Sequence, residues 1–424
     1  MSISRKLKTQ AAMALTSRRL QTSRRYVHEV RRRLAGRPHV VRYFHDISDP
    51  YSFLTVQVLQ QFQGRYGISL QPYLISGPPQ DMMPAPDEYR RNAVRDVVRV
   101  AGRLGLVPPT LSNPDPETIK KAEKKLAAGL GTDEFASIAQ AVTQAVWTGG
   151  LLPLGPETDP MPAKTAGDQA LASVGHYQGG CFAYGGEIYW GLDRLHYLEA
   201  RLQDLGLGKA PAPIVPDITP QPVTAKGQEI EFFFSFRSPY SYLAFDRVRD
   251  LARKSQADLI FKPVLPMLMR GLPVPPAKSS YILHDCTREA RRLGIPFGCI
   301  SDPLGAGVER GYALLGHAEK RGCLAEYCSA FLSTVWSRGI DAATDAGLAK
   351  ITEAAGLNWS EAKSELGSTE WRNRVEANQN RLHEIGLWGV PSFRVNGQNI
   401  WGQDRLWVIS DVLNTDQRAK KKAP

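Results

Sequence analysis

The stretch EFFFSFRSPYSYLAF, Glu231–Phe245, decides the fold of this chain. Its aromatic run predicts a buried strand, and an apolar helix pattern begins at Ser238-Pro239. Proline is favoured at the first helical position because its fixed φ suits the helix and its missing N–H would have no partner there. Ser238 is therefore the predicted N-cap. Backbone donors and the positive end of the helix dipole meet at such a helix start, so an anion can be held there.

The size and composition predict a globular protein of two or three domains. The chain has 424 residues, of which 42% are hydrophobic and 22% are charged. No apolar run reaches transmembrane length, and no secretory signal is recognisable, so we expect no transmembrane segment. Five cysteines without a C-x-x-C pair suit a reducing compartment. We therefore expect a cytoplasmic protein.

The net charge of +11 is concentrated in the first 38 residues. This leader contains eleven Lys and Arg residues against the single acid Glu29. The rest of the chain is nearly neutral, so we expect no nucleic-acid-binding face on the folded domains. The leader is predicted to be helical or disordered. Three interpretations fit it: a transit peptide that would direct organellar import in a eukaryote, a basic arm that contacts phosphate or anionic lipid, or a solvated helical extension.

The chain contains one pattern twice. Asp49–Leu54 (DPYSFL) matches Ser238–Leu243 (SPYSYL) 189 residues later, and a D-x-x-R-x-x-x-R-L-G pattern that begins at Asp96 recurs from Asp285 at the same offset. A constant offset over about a hundred residues indicates a tandem duplication. The motif W-G-x-D-R-L recurs at an offset of 211, which means that the first copy has lost 22 residues before it.

The order of elements within each copy predicts the fold class. Each copy has a strand, a helix, a second strand, a long helical region, a hairpin and a last helix. The helical region of the second copy is predicted to include Tyr281–Leu293, Tyr312–Ser337 and Trp371–Ile385. We therefore predict an α/β protein with two tandem thioredoxin-like domains, each carrying an all-helical insertion.

The domain boundaries follow from composition. Residues 209–228 contain five prolines with little periodicity and are predicted to be a linker. The predicted parts are a basic leader (1–38), a degenerate thioredoxin-like domain (39–208), the linker (209–228), a second thioredoxin-like domain (229–413) and a basic tail (414–424).

Redox domains of this fold open the first helix with C-x-x-C. The corresponding positions here are Ser238–Ser241 (SPYS) and, in the first copy, Asp49–Ser52 (DPYS). Neither hydroxyl nor carboxylate can form a disulfide, so thiol–disulfide exchange is excluded at both positions.

The second copy resembles the family of 2-hydroxychromene-2-carboxylate isomerases and kappa-class glutathione transferases, a DsbA-like branch of the thioredoxin fold. The resemblance spans residues 229–412. The residues that carry it are Ser238–Leu243, Lys278 with Tyr281, Asp285 and Arg288, then Gly389–Phe393, and finally Gly402–Arg405.

The resemblance implies a glutathione-dependent cis–trans isomerase that acts on a small unsaturated, aromatic carbonyl compound. In that family the thiolate of glutathione adds to the substrate, a bond rotates, and the thiolate is expelled. Ser238 is implied as the catalytic residue that hydrogen-bonds the thiolate, with Pro239 and Tyr240 beside it in the cofactor site. A kappa-like transferase and a non-catalytic binding module, in which Ser238 is only a cap, are the alternatives.

The remaining cofactor contacts are implied at the end of the chain. Val390, before a Pro391 that is cis in this fold, would pair its backbone with the cysteinyl residue of glutathione. Gln403 and Asp404 would meet the γ-glutamyl end. The loop Leu265–Lys278 lacks the asparagine that family members use to contact glutathione.

The first copy departs from the family pattern at both key positions. Asp49 replaces the serine, and Gly179-Gly180-Cys181 stands where the second copy has Val390-Pro391-Ser392. A carboxylate at a helix N-terminus would repel a thiolate. The resembling enzymes are homodimers of single domains. We therefore expect one working site, with the first domain replacing a partner subunit in an intramolecular pseudo-dimer.

Overall fold

The structure, a computed structural model, describes residues 3–208 and 212–422. The chain divides into two compact units. The first unit contains Arg24–Asp217 and Pro275–Tyr281, and the second contains Ile218–Val274, the chain from Ile282 and the chain up to Ser23. These units differ from the predicted domains at the leader and at Pro275–Tyr281. Parts of the predicted linker and of the predicted tail, residues 209–211 and 423–424, lie outside the described residues.

The first half of the chain begins with two helices and continues with alternating strands and helices. The elements are α1 (Ile3–Leu15), α2 (Arg18–Leu34), β1 (Val40–His45), α3 (Pro50–Val56), α4 (Leu59–Arg65), β2 (Ser69–Leu74), α5 (Pro86–Leu104), α6 (Pro116–Gly129), α7 (Phe135–Thr148), α8 (Met161–Ser173), β3 (Cys181–Tyr184), β4 (Glu187–Trp190) and α9 (Leu195–Asp204).

The second half repeats this order with a longer helical insertion. The elements are β5 (Glu229–Phe234), α10 (Pro239–Ser255), β6 (Asp258–Pro263), α11 (Pro276–Leu293), α12 (Ala306–Ala313), α13 (Leu315–Lys320), α14 (Leu324–Ser337), α15 (Asp345–Ala354), α16 (Trp359–Ser364), α17 (Glu370–Glu384), β7 (Ser392–Val395), β8 (Gln398–Trp401) and α18 (Leu406–Lys422). Short 3-10 helices lie at Gln80–Met82, Leu192–Arg194, Met267–Arg270 and Glu365–Gly367.

Each unit is built on a four-stranded mixed sheet with the same topology. The strand orders are β2-β1-β3-β4 and β6-β5-β7-β8. In both sheets the first two strands pair in parallel and the other pairs are antiparallel. The registers also agree, since Val40 pairs with Ser69 and Glu229 pairs with Asp258. The predicted α/β fold class is confirmed.

The helical insertion of the second unit is more broken than the sequence predicted. The stretch Tyr312–Ser337, predicted to be helical without a break, is divided among three helices, α12, α13 and α14. The last break falls at Gly322, whose φ of 70° lies in the left-handed region that glycine adopts without strain.

The sheet and α17 together support the loop that leads into β7. Buried Phe233, Val264, Leu382 and Leu387 form one apolar cluster. Val390 packs against this cluster from the loop itself. The loop is therefore fixed from below by apolar contacts, while its backbone faces the start of α10.

The leader forms two helices rather than an extended arm. Within the second unit, Thr9 Oγ1 of α1 donates to the carbonyl oxygen of Ile300 across 2.7 Å, and the Arg291 guanidinium donates to the carbonyl oxygen of Thr16. Within the first unit, Arg25 of α2 forms a two-pronged ion pair with Glu187, with distances of 2.6 and 2.8 Å. Among the described helices, none is long and apolar enough to cross a membrane.

Candidate active site

Ser238 is the N-cap of α10, as the sequence predicted. Its backbone is extended, with φ of −96° and ψ of 113°, and its Oγ accepts a hydrogen bond from the Ser241 N–H at 3.1 Å. Pro239 occupies the first helical position. The hydroxyl of Ser238 is held at the positive end of a 17-residue helix, where negative charge is stabilised.

The proton of the Ser238 hydroxyl points to the loop before β7. Ser238 Oγ donates to the carbonyl oxygen of Val390 across 3.3 Å, which is a long hydrogen bond. The Val390–Pro391 peptide bond is cis, as predicted. The Val390 N–H donates to no acceptor within residues 3–208 and 212–422. A serine hydroxyl and an unused backbone donor therefore belong to the same small region.

The Tyr240 hydroxyl is hydrogen-bonded to a buried carboxylate of the protein. Its phenolic oxygen donates to Asp285 Oδ2 of α11 across 2.8 Å, and Asp285 is only 2% exposed. Arg288 of the same helix lies 3.9 Å from Asp285. The hydrogen bond from Tyr240 to Asp285 thus anchors the first turn of α10 to α11.

Gln403 is enclosed in a buried polar network. The residue is 1% exposed, its Nε2 donates to Glu289 Oε2 at 2.9 Å, and its Oε1 accepts from Arg247 Nη1 at 2.6 Å. Arg247 Nη1 also reaches the Gln403 carbonyl oxygen at 3.0 Å. Its side chain is therefore committed to the protein, and direct contact with a ligand stays a prediction.

Asp404 is more accessible than Gln403. Its side chain is 25% exposed and lies 3.7 Å from Arg405 Nη1, whose own side chain is 5% exposed. A partly solvated carboxylate of this kind can meet the ammonium group of a ligand. The two neighbours that the sequence analysis assigned to the same end of glutathione thus differ in exposure: Gln403 is buried and Asp404 is partly exposed.

Lys278 does not belong to the unit that holds Ser238. The stretch Pro275–Tyr281 clusters with the first unit, where Lys278 Nζ donates to the carbonyl oxygen of Met82 across 2.9 Å. Burial lowers the pKa of the Lys278 amine. Of the positions that carry the resemblance, Lys278 and Tyr281 therefore belong to the first unit.

Arg270 is a residue that the sequence did not single out. It ends the 3-10 helix after β6, and its Nη2 donates to the carbonyl oxygen of Trp388 at 2.9 Å. Trp388 lies two residues before Val390. Arg270 lies in no recognisable motif, and the carbonyl oxygen that it binds lies 118 residues later. The sequence therefore gives no indication of its contact.

The equivalent position of the first unit holds a buried carboxylate. Asp49 caps α3 by accepting the Ser52 N–H at 2.7 Å, and it is 7% exposed. Burial raises the pKa of Asp49 to about 6. Burial, followed by the charge of Asp49, raises the pKa of Asp46 to about 7.

In the first unit, Gly179 and Gly180 pack directly against the start of α3. A Cβ on Gly179 would lie 2.6 Å from Ser52 Oγ and 2.7 Å from Asp46 Cβ, so no side chain fits. Gly180 has φ of 64°, and a Cβ there would lie 3.0 Å from the Ser52 nitrogen. This packing fills the space that corresponds to the Ser238 site.

Several hydrogen bonds recur in the two units at the sequence offset of 189. Tyr51 donates to Asp96 as Tyr240 donates to Asp285, with distances of 3.0 and 2.8 Å. The indoles of two tryptophans donate in the same way, Trp147 to Ile47 O at 2.9 Å and Trp336 to Phe236 O at 3.2 Å.

A family model described as a DSBA-like thioredoxin domain matches residues 229–414. This stretch is similar to DSBA-like thioredoxin domains. Ser238, Val390 and Pro391 all lie within the matched stretch, whereas Asp49 lies outside it. Ser238 and Ser241 occupy the positions where redox members of the fold carry two cysteines, and all five cysteines of the chain are free thiols.

Curated relatives of the chain are isomerases by name. It is 25% identical over 195 residues to a 2-hydroxychromene-2-carboxylate isomerase from Pseudomonas putida, which covers 43% of this chain and 93% of the relative. A relative of the same name from Sphingobium xenophagum is 27% identical over 202 residues, covering 43% and 97%. A solved 2-hydroxychromene-2-carboxylate isomerase is 23% identical and has a TM-score of 0.40, covering 46% of this chain and 100% of the other. At the family level, the chain is similar to isomerase-type enzymes of the thioredoxin fold.

Proposed function

We propose that the DSBA-like domain is a glutathione-dependent cis–trans isomerase of an unsaturated aromatic carbonyl compound. The observation that carries the proposal is the Ser238 hydroxyl, which caps α10 and at the same time donates to Val390 next to the cis proline. The names of the curated relatives support the reaction class.

The residues at this position fit glutathione. Ser238 offers a hydroxyl for the sulfur, Val390 offers a backbone N–H for the cysteinyl carbonyl, and Asp404 offers a carboxylate for the γ-glutamyl ammonium group. Bound glutathione would supply a thiolate that adds reversibly to the unsaturated carbonyl compound and so permits rotation about the former double bond. Serine suits this role because it donates a hydrogen bond without competing as a nucleophile at neutral pH.

The energy required to form the thiolate is within reach of these groups. A free thiol with a pKa near 8.5 is about 3% ionised at pH 7, and lowering that pKa by two units requires about 2.7 kcal/mol. A helix N-terminus contributes about 0.3–2 kcal/mol, and a hydrogen bond to a charged group about 1.5–3 kcal/mol. Together the helix start and the Ser238 hydroxyl would contribute about 1.8–5 kcal/mol, a range that brackets the requirement and leaves room for a further positive charge.

The Ser238 proton would change acceptor when the cofactor binds. Its present acceptor, the Val390 carbonyl oxygen, is 3.3 Å away, so little is lost when the hydroxyl turns to a thiolate. The bond from Ser241 N–H continues to hold the oxygen in place. Gln403 is held by Arg247 and Glu289 rather than free to turn, so we propose that it positions the neighbouring Asp404.

The test is turnover of an unsaturated aromatic ketoacid with and without glutathione. We expect turnover that requires glutathione and does not consume it. Consumption of the thiol with formation of a stable conjugate would instead identify a kappa-like transferase. Absence of turnover, together with binding of extended peptides through the Val390 edge, would identify a non-catalytic binding module.

For the first domain we propose a scaffolding role after a tandem duplication. The shared sheet register and the recurring hydrogen bonds support the duplication. The carboxylate of Asp49 and the packed Gly179-Gly180 loop support the loss of the site in that copy. If residues 229–424 expressed alone formed a stable and fully active monomer, the pseudo-dimer would be wrong.

A further inference from the structure

Arg270 carries a positive charge that no described group neutralises. Its Nε and Nη1 are enclosed and meet no acceptor within residues 3–208 and 212–422. In the same residues no carboxylate lies within ion-pair distance of its guanidinium. Burial lowers the pKa of Arg270 to about 10, so the group remains charged at neutral pH.

The backbone holds Arg270 in place. Arg270 N–H donates to the carbonyl oxygen of Pro266 at 3.2 Å, and Leu272 N–H donates to that of Met267 at 3.0 Å, so the short helix is closed at both ends. Gly271 follows with φ of 73° and turns the chain away. A guanidinium on a fixed backbone costs little reorganisation when charge develops nearby.

The charge of Arg270 lies close to the Ser238 hydroxyl. Arg270 donates to Trp388 O and Ser238 donates to Val390 O. These acceptors are two residues apart, a span of at most about 7 Å. The two donors therefore bind carbonyl oxygens of one short loop, with bonds of 2.9 and 3.3 Å. The guanidinium nitrogen thus lies at most about 13 Å from the hydroxyl.

Neighbouring ionisable groups leave this charge uncompensated. Tyr312 of α12 donates its hydroxyl to Val264 O at 2.7 Å, and burial raises its pKa, so the phenol stays neutral. Arg237, next to Ser238 in sequence, is paired with Asp302 by two bonds of 2.8 Å. The charges of that pair largely cancel at the site.

We propose that Arg270 supplies the positive charge that keeps a thiol bound at Ser238 ionised. The proposal rests on the proposed function, because it concerns the same bound thiol. Arg270 does not contact the bound thiol, and its charge stabilises the thiolate from a distance. At about 13 Å and an effective dielectric constant of about 20, its charge favours the thiolate by roughly tenfold.

Two substitutions separate the charge of Arg270 from its structural bond. Arg270→Lys keeps the charge, whereas Arg270→Gln keeps a donor for Trp388 O and loses the charge. The ionisation of glutathione bound to the full chain is followed by the ultraviolet absorbance of the thiolate as pH is varied. We expect the midpoint to rise by about one pH unit in Arg270→Gln and to stay near wild type in Arg270→Lys.

The opposite pattern overturns the proposal. A wild-type midpoint in Arg270→Gln, or an equal shift in both variants, assigns Arg270 a structural role only. If Arg270→Gln fails to fold, a midpoint raised by about one unit in folded Arg270→Lys contradicts the proposal by itself. Arg253→Gln, at a side chain that is 74% exposed, is the control and should not move the midpoint. Wild-type protein that binds no glutathione rejects the proposed function, whereas normal binding with an unshifted Arg270→Gln rejects this inference alone.

Discussion

The Ser238 hydroxyl donates to the carbonyl oxygen of Val390 across 3.3 Å, although 152 residues separate the two. This contact joins the helix start after β5 to the cis-proline loop before β7. In the first unit the same two positions are occupied by Asp49 and Gly179, and the loop packs tightly on the helix. Both copies therefore keep the Pro-Tyr-Ser sequence at the helix start, but only the second copy has a serine hydroxyl at the N-cap.

Substitution of Ser238 separates capping from thiolate binding. Ser238→Asp preserves the N-cap, because aspartate caps as well as serine, but its charge repels a thiolate as Asp49 would. Ser238→Ala loses both functions and should cost about 1 kcal/mol of stability. We expect turnover to fall at least tenfold in both variants, while the melting temperature falls only in Ser238→Ala. Full activity of Ser238→Asp would show that the serine is merely a cap.

We expect Asp404 to contribute to glutathione binding and Gln403 to contribute to the stability of the fold. Asp404→Asn is expected to weaken glutathione binding by about tenfold, equivalent to about 1.4 kcal/mol, without changing stability. Gln403→Leu leaves buried Glu289 short of a donor and should lower the free energy of unfolding by about 1–3 kcal/mol. Calorimetric binding and denaturant unfolding measure the two effects. A stable Gln403→Leu variant that cannot bind glutathione would restore the direct-contact role.

The first unit should become less stable as pH rises from about 4 to about 7. The folded chain keeps protons on Asp46 and Asp49, with pKa values of about 7 and about 6, whereas unfolded aspartate titrates near 3.9. Protons bound more tightly in the folded state stabilise it at low pH, and this stabilisation is lost as pH rises through the folded pKa.

Asp46→Asn tests this linkage. Its amide oxygen can still accept the Ser48 N–H that Asp46 accepts at 2.8 Å. We expect the variant to be about 2–4 kcal/mol more stable than wild type above pH ~7, and to show a flatter pH dependence in urea unfolding of the full chain. Wild-type stability that increases with pH over this interval would contradict the prediction.

The first helix should stabilise the second unit. Removal of residues 1–17 deletes α1 and the bonds of Thr9 and Thr16 to that unit, so we expect a loss of about 1–3 kcal/mol. Thr9→Val removes one of these bonds and should cost about 1 kcal/mol. Differential scanning calorimetry measures both. An unchanged melting temperature after truncation would favour a leader that is independent of the fold, as a transit peptide would be.

Much of the fold was predictable because local patterns and the repeat agreed. The helix start at Ser238-Pro239 and the α/β order both appear in the structure. The cis bond at Pro391, which the family resemblance implied, is present as well. The break at Gly322 was missed because a glycine in an apolar helical pattern can be tolerated or can end a helix, and packing decides which.

The candidate site was predictable only in part. Ser238 and Val390 are visible from their motifs, but the enclosure of Gln403 depends on Glu289, which is 114 residues away. Arg270 was missed for a similar reason, since no motif marks it and the acceptor of its side-chain hydrogen bond lies 118 residues later. Long-range polar partners of this kind cannot be read from local spacing.

Glutathione binding to wild type and Ser238→Ala, measured by titration calorimetry at neutral pH in two buffers of different ionisation enthalpy, tests the central claim most directly. The account predicts that wild type binds with release of a proton, since the thiol becomes a thiolate, and that Ser238→Ala binds at least tenfold more weakly with less proton release. Absence of binding to wild type, or equal affinity and proton release in both proteins, would contradict the assignment of Ser238.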